Sequence, residues 1–114
     1  MNQWKYFDEV ESFGLTADLM YKLDRARGLF GGPIVITSGY RDPLKNKEVG
    51  GVHDSAHEKG MAVDIRCADI EMQKRLIWAL CVAGFHRIGA YDKHVHADTD
   101  GSKPSPAFWC GESH

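Results

Sequence analysis

Two short segments of the 114-residue chain concentrate the residue types that bind metals and move protons. They are Ser55-Ala56-His57-Glu58-Lys59-Gly60-Met61-Ala62-Val63-Asp64 and Asp92-Lys93-His94-Val95-His96-Ala97-Asp98. In the second, strand alternation puts His94, His96 and Asp98 on one face and Val95 and Ala97 on the other. In the first, Asp64 falls on the polar face of a strand whose Met61, Val63 and Ile65 point the other way. Both strands can therefore aim imidazole or carboxylate from one face of a sheet. Ligands of His, Asp and His type, with a water, describe a catalytic zinc site that keeps its fourth position open. Imidazole is borderline-soft and suits zinc, and one carboxylate lowers the net charge of the site. A lone histidine, or His-x-His by itself, is more often solvated or hydrogen-bonded than a ligand. Two alternating strands with a Gly-rich loop leading into the first make the stronger signal.

The elements that must position these residues are legible in outline. Thr16 is suited to cap a helix over 17–30, with Asp18 in its first turn and Leu15 and Met20 at staple spacing. Leu19, Met20, Leu23, Ala26 and Phe30 form its apolar stripe, and Gly31-Gly32-Pro33 ends it. Ile34 to Thr37 is a β-branched run that reads as a buried strand. Residues 38–60 read as a long loop, and loops of that length are often functional. A strand follows over 61–66. A helix over 69–83 starts at Asp69 and Glu71 and stops at Gly84. Two strands near 85–90 and 94–99 are joined by a turn around Tyr91-Asp92. The tail from Gly101 is rich in Pro, Ser and Gly, and its Phe108 and Trp109 are expected to tie it onto the domain. The expected fold is α+β: a small, mostly antiparallel sheet backed by the helices 17–30 and 69–83. The site would lie on the open face of the sheet, under the 38–60 loop.

Composition sets the outer bounds. The length suits one domain over 1–114. At 43% hydrophobic and 26% charged, the chain has the balance of a globular protein rather than a disordered one. A net charge of −2 argues against a surface built to coat nucleic acid or anionic lipid. The longest apolar run, Leu76 to Ala83, is too short to span a bilayer. The opening MNQWKYFDEVES has no continuous apolar stretch, so no secretory signal is expected, and the protein would stay cytoplasmic until released. The three cysteines, Cys67, Cys81 and Cys110, form no CxxC pair. They are expected to be free and mostly buried, which leaves histidine and carboxylate to build any metal site.

With those residues in view, SAHEKGMAVDI resembles the SxHxxGxAxD motif of the zinc D-alanyl-D-alanine carboxypeptidases, the M15-type zinc peptidase family. SGYRDPLKNKEVGG resembles the SGYR…N…VGG segment ahead of that motif. RIGAYDKHVHAD resembles the strand carrying the third ligand, which is also similar to the His-x-His strand of the hedgehog amino-terminal domain. The likeness runs from about residue 16 to 109. It implies a Zn2+ ion held by His57, Asp64 and His96. It implies that Arg41 holds a substrate carboxylate or carbonyl by two parallel hydrogen bonds. The alternative for Arg41 is a structural ion pair with Asp42 or Asp98. Ser38 and Ser55 would satisfy loop backbone groups or contact substrate. Gly39, Gly50, Gly51 and Gly60 would take backbone angles that side chains forbid.

Many relatives carry Glu or Asp three residues before the last histidine ligand, where this chain has Lys93. Asp92 is then the nearest acid for the base. His94 would stabilise an oxyanion or relay a proton, and Asp98 would orient a histidine. His53 and Glu58 are near the site in sequence only, and His86 and His114 have no motif support. The implied reaction is hydrolysis of a peptide bond in the peptidoglycan stem, beside a D-amino acid, by a monomer with no nucleic-acid or membrane partner. A phage or prophage lysis enzyme would suit it. Two other classes remain open: a hedgehog-like module that binds zinc without turnover, which Lys93 favours, and a metal-free phage structural domain.

Overall fold

The computed structural model describes residues 3–48 and 55–112. Thr16 starts α1 (Ala17–Phe30) as an N-cap whose side chain accepts from the Leu19 amide. Gly31 stops it in the left-handed conformation, with φ 78°. The buried face of α1 is Leu19, Met20, Leu23, Ala26 and Phe30, the stripe expected from the sequence. The lead-in is fastened to this helix: the Lys5 and Tyr6 amides donate to the Asp24 carboxylate, and Phe7 is buried.

The next strand, β1 (Ile36–Ser38), starts two residues later than expected. Ile34 is in the core but precedes the ladder, which opens where the Val35 carbonyl accepts from Arg66. The stretch read as a loop over 38–60 contains a short helix, α2 (Pro43–Glu48). Proline at a first helical position gives up an amide that would be unpaired anyway, and six residues are too few to show an apolar period. Gly50, Gly51 and His53 lie outside the described residues. Strand β2 (Ala62–Arg66) leads to α3 (Ile70–Ala83). Asp69 caps α3 by accepting from the Met72 amide at 2.8 Å, and Gly84 closes it with φ 112°. The Phe85 amide is used by that closure, donating to the Leu80 carbonyl, so β3 (Arg87–Ala90) starts later than expected.

A hairpin joins β3 to β4 (His94–Asp98), and the tail adds β5 (Ala107–Cys110), a strand the sequence reading did not contain. The sheet order is β1-β2-β4-β3-β5, antiparallel throughout except for the parallel β3–β5 pair. The tail is thus held by a ladder as well as by Trp109, while Phe108 is exposed. Between β4 and β5 the Asp100 carboxylate is buried, and Lys59, Ser102 and Lys103 donate to it. One core contains α1, α3 and the residues Val63, Ile65, Val95, Ala97 and Ile88 of the sheet. All three cysteines are free, but only Cys67 is buried. Cys81 sits on the outer side of α3 and Cys110 on the last strand of the sheet, so small apolar residues there are left uncovered. Among the described residues, no helix is long and apolar enough to cross a membrane.

Of the glycines expected to need unusual angles, Gly60 has φ +71° and Gly39 has no such angle. A Cβ on Gly60 would collide with the Gly14 carbonyl oxygen, and the Gly60 carbonyl accepts from the Thr16 amide at 2.9 Å. Left-handed backbone costs a residue with a side chain about 1–2 kcal/mol. Gly60→Ala should therefore destabilise the protein by at least about 2 kcal/mol once the collision is added. Urea unfolding measures this, and an unchanged midpoint would show that the turn does not need the glycine.

Candidate metal centre

Asp64 on β2 and His96 on β4 are direct cross-strand partners. Their neighbours Val63, Ile65, Val95 and Ala97 belong to the core, so alternation turns Asp64 and His96 the other way. His57 comes from the turn ahead of β2. Two amides, Lys59 and Met61, donate to the Ala56 carbonyl and fold that turn. Ser55 and Glu58 close it, with the Glu58 amide donating to the Ser55 carbonyl at 3.0 Å. The Glu58 carboxylate accepts from the Ser55 amide at 3.1 Å, and the Ser55 hydroxyl accepts from the His57 amide at 3.1 Å. The segment after β1 completes the hold, since the Arg41 amide donates to the His57 carbonyl at 3.0 Å.

The imidazoles are oriented by groups that dictate which nitrogen faces the cluster. Nδ1 of His57 lies 2.8 Å from the Gly39 carbonyl oxygen. A carbonyl only accepts, so Nδ1 carries the proton and the Nε2 lone pair is left facing Asp64, 3.5 Å away. Nε2 of His96 lies 2.7 Å from Asp98 Oδ2, and its Nδ1 lies 3.0 Å from Asp64 Oδ1. Asp98 is itself buried and accepts from Arg87 Nε at 2.8 Å and from the Asp100 amide. Burial raises the Asp64 carboxyl, but the His57 and His96 imidazoles beside it outweigh that and hold it well below the usual carboxylate range. Burial lowers His96, and the two carboxylates beside it more than compensate, so it is raised. Asp98 is lowered on balance, burial being outweighed by His96, the Asp100 amide and Arg87.

One ligand atom from each of His57, Asp64 and His96 lies within 4.8 Å of the others. Two imidazoles and a carboxylate, with histidine protons tied to a carbonyl and a carboxylate, make a donor set that fits zinc. His57 would offer Nε2, Asp64 an oxygen, and His96 Nδ1 while Nε2–H stays on Asp98.

A groove of about 690 Å³ opens over Asp64 and His96. Residues 37–41 line one part of it, and Tyr91, His94 and Glu112 line another. Arg41 is half-buried there, and its Nε is buried without a hydrogen-bond partner. Asp98, one acid offered as its structural partner, is taken by Arg87 and His96. Ser38 lines the groove and Ser55 does not, since the Ser55 hydroxyl is spent on the turn. His94 stacks on Tyr91 with ring centroids 4.4 Å apart, and burial lowers its pKa. Asp92 is exposed in the β3–β4 turn and borders a separate depression with Asp69, Gln73 and Cys110. His86 is exposed and away from the groove; His114 is outside the described residues. Sequence reasoning missed Arg87, Tyr91, Trp109, Glu112 and the Gly39 carbonyl. Arg87 was within reach, because the register of a hairpin turning at Asp92-Lys93 sets it opposite Asp98.

The cluster predicts that the purified protein takes up about one zinc ion per chain. His57→Ala, Asp64→Ala and His96→Ala should each lose most of it by elemental analysis. Undiminished zinc in all three would remove the cluster as a metal centre.

A model of the family described as peptidase M15 matches residues 4–98, from the lead-in to the end of β4. No curated protein matches the chain. The match covers most of the chain and includes all three residues of the metal cluster. The chain belongs to the peptidase M15 family.

Proposed function

We propose that the protein is a zinc-dependent peptidase that hydrolyses a peptide bond of the peptidoglycan stem, beside a D-amino acid. Family membership supports a metallopeptidase. The observation that carries the reading is the His57–Asp64–His96 cluster at a groove that also holds Arg41. The chemistry a bound zinc ion supplies is Lewis acidity toward a carbonyl and a water acidified to near neutral pH.

The chain's own groups do the rest. The Arg41 guanidinium, with a donor still unmet, holds the substrate carboxylate or carbonyl and so fixes the scissile bond in the groove. His94 stands in the groove wall and donates to the carbonyl oxygen as negative charge develops on it. A carboxylate takes the proton of the attacking water and returns it to the leaving amine. The family position for that group is Lys93 here, and Asp92, next to it in the turn, is assigned the role. Glu112 is the second reading for the same step, because it lines the groove whereas Asp92 borders the adjoining depression.

Purified peptidoglycan digested with the protein should release new amines, identified by mass spectrometry of the fragments. Arg41→Lys should keep zinc and the fold yet weaken turnover, since a lysine cannot offer two parallel bonds. Full activity in Arg41→Ala would return Arg41 to a structural role. A parent that binds zinc but releases nothing from several peptidoglycan types would favour a non-catalytic module.

The base is tested separately. Asp92→Asn should reduce hydrolysis by about 10²–10⁴-fold with zinc retained. A fall of that size in Glu112→Gln, with Asp92→Asn as active as the parent, moves the role to Glu112.

A further inference from the structure

We propose that Tyr91, braced by Trp109, is the positioning residue that fixes the plane of the His94 ring in the groove. The last strand would then complete the site without supplying a ligand. The catalytic part of this proposal rests on the role given to His94 above.

The argument starts in the hairpin. Ala90 and Val95 are the last ladder pair, and the Tyr91 amide donates to the His94 carbonyl at 2.9 Å across Asp92-Lys93. Residues opposite each other at such a turn share a face, with Cβ atoms about 5 Å apart. Tyr91 and His94 therefore stand on the same face as Gly89 and His96. Their rings are parallel to within 7° at 4.4 Å. The stack lays the imidazole face against the phenol face and so favours one plane for the His94 ring.

The phenol ring is held in turn by the last strand. Trp109 lies opposite Gly89 in the parallel β3–β5 register, and its Nε1–H donates to the Tyr91 hydroxyl at 2.9 Å. A Cβ on Gly89 would collide with Trp109 Nε1 and come within 2.9 Å of Tyr91 Cε2. A Cβ on Gly111 would come within 2.5 Å of Tyr91 Cε1. Two glycines, one in β3 and one just past the end of β5, thus leave the space that one tyrosine ring occupies. Trp109 also stands 5.5 Å from the His96 ring and carries the Arg87 guanidinium 5.0 Å from its own. A tyrosine that merely filled the hairpin would need neither the indole hydrogen bond nor the cleared slot.

The test uses the full-length, zinc-loaded protein. The His94 ring protons are observed by NMR, where stacking on Tyr91 displaces them upfield, and hydrolysis of a soluble peptidoglycan fragment gives kcat and KM. Tyr91→Leu should abolish the upfield displacement and lower kcat by about 10–100-fold, with zinc content and KM near the parent's. Tyr91→Phe keeps the ring but loses the Trp109 hydrogen bond, so it should keep most of the displacement and lose less turnover than Tyr91→Leu. Trp109→Phe should fall between them, and together these two keep the proposal testable if Tyr91→Leu does not fold. An unchanged His94 spectrum in Tyr91→Leu, a lost stack with undiminished kcat, or a fall in kcat matched by loss of zinc would each overturn it. If the parent hydrolyses nothing, the reading of the function fails on its own, while the His94 spectra still decide the geometry.

Discussion

Asp64 and His96 oppose each other on adjacent antiparallel strands, and the rest of the molecule is constrained by that pairing. Strand side chains alternate with period two, so a slip of one residue in β2 would turn Asp64 into the core, and one in β4 would do the same to His96. The register is held from the opposite face by Val63, Ile65, Val95 and Ala97, packed beneath α1 and α3. Core and candidate metal centre are thus two sides of one ladder. The buried charge beside it is fully partnered, as low-dielectric surroundings demand: Asp98 accepts from Arg87 and from the Asp100 amide while holding His96.

The segments outside the ladder serve it mainly through backbone groups. The Gly39 carbonyl selects the His57 tautomer, and the Arg41 amide ties the same histidine's carbonyl. The Arg41 side chain is thereby delivered to the groove by a segment that has already been fixed. Ser55 and Glu58 close the turn that carries His57, so the residues flanking His57 in sequence spend polar groups on its position.

What could be read from the sequence was what is local or ordered. Thr16 and Asp69 cap their helices because a side-chain oxygen three residues from an unpaired amide needs no distant partner. The stripe of α1 and the alternation of β2 and β4 followed from periodicity. Motifs in a fixed order pointed to His57, Asp64 and His96, which the fold brings together. What could not be read depends on contacts far apart in the chain. Strand β5 pairs parallel with β3 across a Pro- and Ser-rich connection whose composition reads as a loop. Trp109 reaches Tyr91 only because Gly89, twenty residues away, has no side chain. Helix α2 fell below the length at which a period shows, and among the described residues no element covers Cys81 and Cys110, which are exposed.

The connection from β4 to β5 has no helix to order it; a buried carboxylate does so instead. Asp100 gathers Lys103 from its own loop and Lys59 from the turn beside His57, so one anion fastens both the last strand and the His57 turn. Burial raises its pKa, but Lys103, Ser102 and Lys59 outweigh burial and hold it well below the ordinary range. A carboxyl depressed on folding contributes its stability above the unfolded value of about 3.9 and surrenders it only as pH falls through the lower folded value. The fastening is therefore indifferent to mild acidification, and strong acid would release the C-terminal strand and the His57 turn together.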